Sequence, residues 1–150
     1  MVAYHRAVTE LPAPLLDATD RYFRTRPWRA DWVEKAQQWV SDAAGIYDLE
    51  TVALRHTSPR DAAGSGCYLP AHNEIRIPKA SVVTLFHEFR HALQHHRPDD
   101  PQYRVDRAAP AAEDDARAWS LSLFQQVRPQ LLVAAVESGR VFYISTEDLQ

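Results

Sequence analysis

The chain has 150 residues, a net charge of −3, 45% hydrophobic residues and 25% charged ones. That length suits one domain with a core large enough to need no staples, and the composition is that of an ordinary globular protein. Basic and acidic side chains number eight and eight in the first sixty residues and nine and twelve in the rest, so no basic face stands out and nucleic acid is not an expected partner.

The N-terminal stretch MVAYHRAVTELPAPLLD has no apolar h-region, so a cytoplasmic location is expected rather than secretion. Residues 13–24 suit a short helix closed by Pro27. In 29–44, Trp32, Ala36, Trp39, Val40 and Ala43 recur at helical spacing, and Gly45 sits where a C-terminal cap belongs. The period then changes to two. TVALRH (51–56), GCYLP (66–70) and EIRIP (74–78) read as three short strands, with Ile75 and Ile77 on one face. Cys67 is the single cysteine, which excludes a disulfide within the chain.

From Ser81, a candidate N-cap, the period is helical again. Val82, Leu85, Phe86, Phe89 and Leu93 form an apolar stripe that ends before Pro98. Pro110 opens a further helix, with Ala116, Trp119, Leu123 and Phe124 on its apolar face. Pro129 opens another, stopped by Gly139. Its run LLVAAV (131–136) is far too short to span a bilayer, so no membrane is expected as a partner. RVFYI (140–144) fits a strand or an extended tail, and STEDLQ the start of a helix.

Within the first of these later helices lies LFHEFRHALQHH (85–96). His87 and His91 are four residues apart, which puts both rings on one face, about 6 Å apart along the axis, within reach of a single ion. Glu88 lies about 100° round the helix, beside such an ion rather than on it, where its carboxylate can take a proton from water. A hydrolytic zinc site needs three protein ligands and one open position. His95 cannot be the third, because eight residues of straight helix separate it from His87 by about 12 Å. The glycine turn that would bring back a later histidine is absent: Ala92, Leu93 and Gln94 follow His91. The third ligand is therefore expected from another helix. Glu113 in EDDARAW is the candidate, with small Ala116 one turn on to let two helices approach. For Asp114, the helix dipole alone accounts for an acid in the first turn. Asp115 is a candidate acceptor for a histidine N–H.

HEFRH followed 22 residues later by EDDARAW resembles the gluzincin metallopeptidases. HEFRHALQHH is similar to the active-site helix of the minimal gluzincins and the ImmA/IrrE type. The loop, GCYLP and NEIRIP before it are similar to their edge strand, turn and inner strand. The resemblance covers residues 52–124. It implies a zincin-like α+β fold: a small mixed sheet of about three strands, then an active-site helix and a glutamate helix, with N-terminal helices packed on the sheet. It implies a zinc metalloendopeptidase acting on peptides or proteins, with His87, His91 and Glu113 as ligands and Glu88 as general base for a zinc-activated water. The family commonly has a small residue where Arg90 stands and Asp or Asn where Arg117 stands. These two arginines motivate the alternative of an inactive zincin-like binding or regulatory module with a structural zinc. Substrate would add as a strand beside Cys67, Tyr68 and Leu69. Tyr103, Tyr143, His95 and His96 are candidates for stabilising an oxyanion. Residues 1–150 are expected to form one compact domain: a helical part over 1–50, the sheet over 51–78, the metal-site helices over 80–127, and a C-terminal helix and tail over 129–150.

Overall fold

The computed structural model describes residues 11–100 and 109–149. Helix α1 spans Ala13–Arg24 and α2 spans Trp32–Ile46. Leu15, Ala18, Thr19, Tyr22 and Phe23 recur every three or four residues and are buried. The buried Trp39 indole on α2 donates to Thr19 Oγ1 at 3.0 Å, which pins α2 to α1 and leaves no orphan N–H. Gly45 lies inside α2 and is not its cap. The left-handed residue is Asp48, at φ 56°. A Cβ on Gly45 would meet nothing within 4 Å, so the helix passes through at only the ordinary propensity cost.

Three strands follow: β1 (Ala53–His56), β2 (Cys67–Leu69) and β3 (Glu74–Ile77). Their order is β1-β3-β2, with β1 parallel and β2 antiparallel to the central β3. Ile75 faces Leu54 on one side and Tyr68 on the other. Ile75 and Ile77 are fully buried, as the period of two requires. The two edges of the sheet differ. At β1, the Gln37 side chain of α2 stands in for a fourth strand. Its Oε1 accepts from Leu54 N–H at 2.7 Å and its Nε2 donates to Val52 O at 3.1 Å. Beyond β2 no strand is paired among the described residues, and that edge runs beside the next helix.

That helix, α3, spans Val82–His96. Ser81 caps it, its Oγ accepting from Thr84 N–H at 3.3 Å. Leu85, Phe86, Phe89 and Leu93 form the buried stripe. Phe86 packs on Trp39 with ring centroids 4.8 Å apart, and also on Tyr22, Phe23 and Phe124. Phe89 packs on Trp39 at 5.3 Å, and on Tyr47 and Trp119. Helix α4 (Ala109–Val127) lies against α3, and α5 (Pro129–Glu137) against α4. Residues 140–144 form no strand. Gly139 turns the chain at φ 80°, Val141 N–H donates to Ala135 O at 3.1 Å, and Val141 and Ile144 are buried while Phe142 between them is exposed. A 3₁₀ turn over Thr146–Leu149 follows. The architecture is thus α+β: a three-stranded mixed sheet with the N-terminal helices on it and α3 and α4 beside it. Among the described residues no helix is long and apolar enough to cross a membrane.

Candidate metal centre

The buried stripe of α3 turns the opposite flank, with His87 and His91, toward α4. The two Nε2 atoms stand 3.2 Å apart. Glu113, in the first turns of α4, closes the triangle: Oε2 lies 3.1 Å from His87 Nε2 and Oε1 lies 2.8 Å from His91 Nε2. With zinc–ligand bonds of about 2.0–2.1 Å, tetrahedral donor atoms stand about 3.3 Å from one another. The three side chains therefore fit a divalent ion in both donor type and spacing.

Electrostatics favour the ligating forms. Burial, reinforced by the neighbouring His91, pushes His87 down to about 4, so its ring is neutral at pH 7 and keeps a lone pair. Burial pushes the Glu113 carboxyl up, but the two imidazoles outweigh it and hold it below its ordinary value.

The tautomer of His91 follows from a network behind it. Gln94, one turn on, has its Nε2 donating to Asp115 Oδ2 at 2.8 Å and to Ala112 O at 3.1 Å. Two acceptors there fix which end of the amide is NH₂. Its Oε1 therefore faces His91 Nδ1, at 2.8 Å, and must accept a proton from it. With Nδ1 protonated, His91 Nε2 is left free for an ion. Among the described residues the partners of Asp115 are Gln94 and Arg90 rather than an imidazole. Its carboxylate holds Gln94 and receives a two-pronged contact from buried Arg90, Nε to Oδ2 at 2.8 Å and a terminal nitrogen to Oδ1 at 3.2 Å. Arg90 also lies over the Trp119 ring, 5.7 Å from its centroid. Its long side chain bridges α3 and α4 at the point where a small residue was the pattern. Arg117 lies over the Tyr143 ring at 4.7 Å.

Glu88 is 7% exposed. Burial pushes its carboxyl up to about 7, against the opposing pull of His91 and of the backbone N–H of Tyr68 on the edge strand. Strand β2 comes close to α3 here, and Gly66 permits it. A Cβ there would lie 2.6 Å from Thr84 Cγ2, and the φ of 150° disfavours any side chain. Cys67, beside Glu88, has its thiol pushed up by burial and then by the carboxylate. The Tyr68 ring turns away from the site, its hydroxyl donating to Asn73 Oδ1 at 2.7 Å and lying 3.1 Å from His96 Nε2. His95 sits beside the Tyr68 and His96 rings.

A cleft of about 480 Å³ opens over His87, Glu88 and His91. Its other walls come from residues 65–68, from Glu113 and Arg117 on α4, and from Arg140, Phe142 and Tyr143. Tyr143 is the expected tyrosine that reaches this cleft. Burial raises its hydroxyl's pKa, with Arg117 and Ser120 nearby acting the other way. Tyr103 lies outside the described residues. Gln94, at i+3 spacing from His91, and Arg140 and Phe142 in the cleft wall join the site beyond the residues expected from the motif.

No family model, curated protein or solved structure matches this chain. Its architecture nevertheless speaks plainly. This is a small α+β, zincin-like fold with a His/His/Glu cluster poised for metal binding.

Proposed function

We propose that this chain is a zinc-dependent metallopeptidase of the gluzincin type. His87, His91 and Glu113 hold the ion, and Glu88 carries the proton. The observation that carries the reading is a coincidence in one cleft: a three-donor cluster of tetrahedral spacing, with a buried carboxylate beside it and, next to that carboxylate, a strand edge unpaired among the described residues. A purely structural metal site has no use for the last two.

When bound, the ion would supply a Lewis acid that polarises a carbonyl and makes water more acidic. The remaining work falls to the chain's own groups. The edge strand Cys67–Leu69 aligns a peptide backbone as an added strand. Glu88, with a carboxyl poised near neutrality, accepts a proton from water at a carboxylate oxygen and returns it to the leaving amine nitrogen. The Tyr143 hydroxyl, in the cleft, is the group available to donate to a developing oxyanion.

The test is Glu88→Gln. Zinc content is expected to be unchanged while peptide cleavage falls by about 10²–10⁴-fold, the usual contribution of a general base. Wild-type protein that binds zinc yet cleaves nothing in a broad peptide library would remove the peptidase and leave only a metal-binding module.

A further inference from the structure

Next to the cleft lies a second concavity of about 670 Å³. The two share Ser65, Val83, Arg140 and Phe142, so they are one continuous surface. Among the described residues, three large hydrophobic side chains are left exposed: Trp28 at 52%, Leu131 at 41% and Phe142 at 80%. All three line this groove. They come from three separate parts of the chain, the α1–α2 connection, α5 and the segment after α5. Such a gathering of exposed apolar side chains marks a binding surface.

The charge of the groove is one-sided. Among the described residues its lining holds Lys79 and Arg140 and no acidic residue. Both cations are exposed. Among the described residues neither makes an ion pair, and Arg140 spends one N–H on Ser138 Oγ at 3.1 Å. Gly139, in its left-handed turn, and the Val141 to Ala135 hydrogen bond hold Arg140 and Phe142 on the ridge between groove and cleft.

Building on the peptidase reading above, we infer that this groove is the specificity subsite of the same site. It takes a large apolar side chain from the flank of the peptide substrate, and a neighbouring carboxylate on that peptide pairs with Lys79 and Arg140. The carboxylate is either an acidic side chain or the peptide's own C-terminus, since both present the same two oxygens to a cation. The apolar wall supplies affinity, and the cations supply register and selection.

The experiment measures binding to the full-length, zinc-loaded Glu88→Gln protein, which does not consume its ligand. The probes are N-acetylated alanine octapeptides carrying one Phe followed by Glu, one Phe followed by Lys, or Ala followed by Glu, each C-terminally amidated. A fourth probe ends in Phe with a free carboxylate. The Phe–Glu probe is expected to bind about tenfold tighter than the Phe–Lys and Ala–Glu probes, each tenfold being one step of about 1.4 kcal/mol. The fourth probe identifies the source: if it matches Phe–Glu, a terminal carboxylate suffices, and if it does not, a side-chain acid is read. Adding Lys79→Glu and Arg140→Glu together is expected to reverse the preference in favour of Phe–Lys, which misfolding cannot do. Equal binding of all probes, binding of none, or a preference unmoved by the charge reversal would overturn the groove. A wild-type protein that shows the preference but cleaves nothing removes the peptidase and keeps the groove. One that cleaves all probes alike keeps the peptidase and removes the groove.

Discussion

Arg90 and Asp115 join the helix that carries the two histidines to the helix that carries the glutamate, through paired contacts of 2.8 and 3.2 Å. The Arg90 side chain is 5% exposed and that of Asp115 26%. Removing one partner of a fully buried pair costs roughly 3–5 kcal/mol, and solvent at Asp115 lowers that figure. Asp115→Ala is expected to destabilise the protein by about 2–3 kcal/mol in urea denaturation. A loss within about 0.5 kcal/mol, as at an ordinary surface site, would show that the pair does not tie the helices together.

Gln94 controls the ring of His91. Gln94→Leu keeps the volume but leaves Nδ1–H without its acceptor and frees the ring to turn. Zinc affinity is expected to fall about 10–100-fold, the usual effect of losing the group behind a metal-bound histidine. Competition with a chromophoric chelator measures it, and an unchanged affinity would deny Gln94 this role.

The metal-free protein should carry a pH signature from Glu88. Its carboxyl is pushed from 4.5 up to about 7 in the folded chain. A folded-state value above the unfolded one means that the folded chain binds the extra proton. The stability it contributes is present below about 4.5 and is lost as pH rises through about 7. Glutamine does not titrate, and the depressed His87 is common to both proteins. The stability of Glu88→Gln relative to wild type should therefore increase by about 1–3 kcal/mol between about pH 5 and pH 8. Denaturation in the presence of a chelator reads this difference, and a flat or falling difference contradicts it.

Two glycines should respond in opposite directions to alanine. At Gly66 the new Cβ would collide with Thr84 and sit on an unfavourable φ. Gly66→Ala is expected to cost about 1–3 kcal/mol and to slow peptide cleavage, because β2 must back away from Glu88. At Gly45, inside α2 with open space around it, the same change should stabilise by about 0.5–1 kcal/mol. Thermal unfolding of the two variants side by side checks both signs.

The elements legible in the sequence were those with a strong period. Phe86, Phe89 and Leu93 announced α3 and its buried side, which fixed the flank on which His87 and His91 had to stand. Ile75 and Ile77 announced β3 in the same way. Gly45 misled because a helix can carry an exposed glycine at small cost, while the actual left-handed turn fell on Asp48, a residue type tolerated there. RVFYI alternates like a strand, but its buried members, Val141 and Ile144, are three apart, Val141 bonds back to Ala135 of α5, and no strand pairs with the segment among the described residues. The Arg90–Asp115–Gln94 network could not be read in advance. It depends on the rotation of two helices about their axes, and local periodicity does not specify that. The groove beside the cleft was hidden for a related reason: its walls meet only once both ends of the chain have folded.

The rings of Phe86 and Phe89 lock into Tyr22, Phe23, Trp39, Trp119 and Phe124 on the inner side of α3. A helix turns as a solid rod, so whatever clamps its inner side also sets the bearing of its outer side. The two imidazoles are thus aimed by oil-like contacts that no ion touches. An arriving cation meets a socket already cut to size, and the entropy of assembling it has been spent during folding.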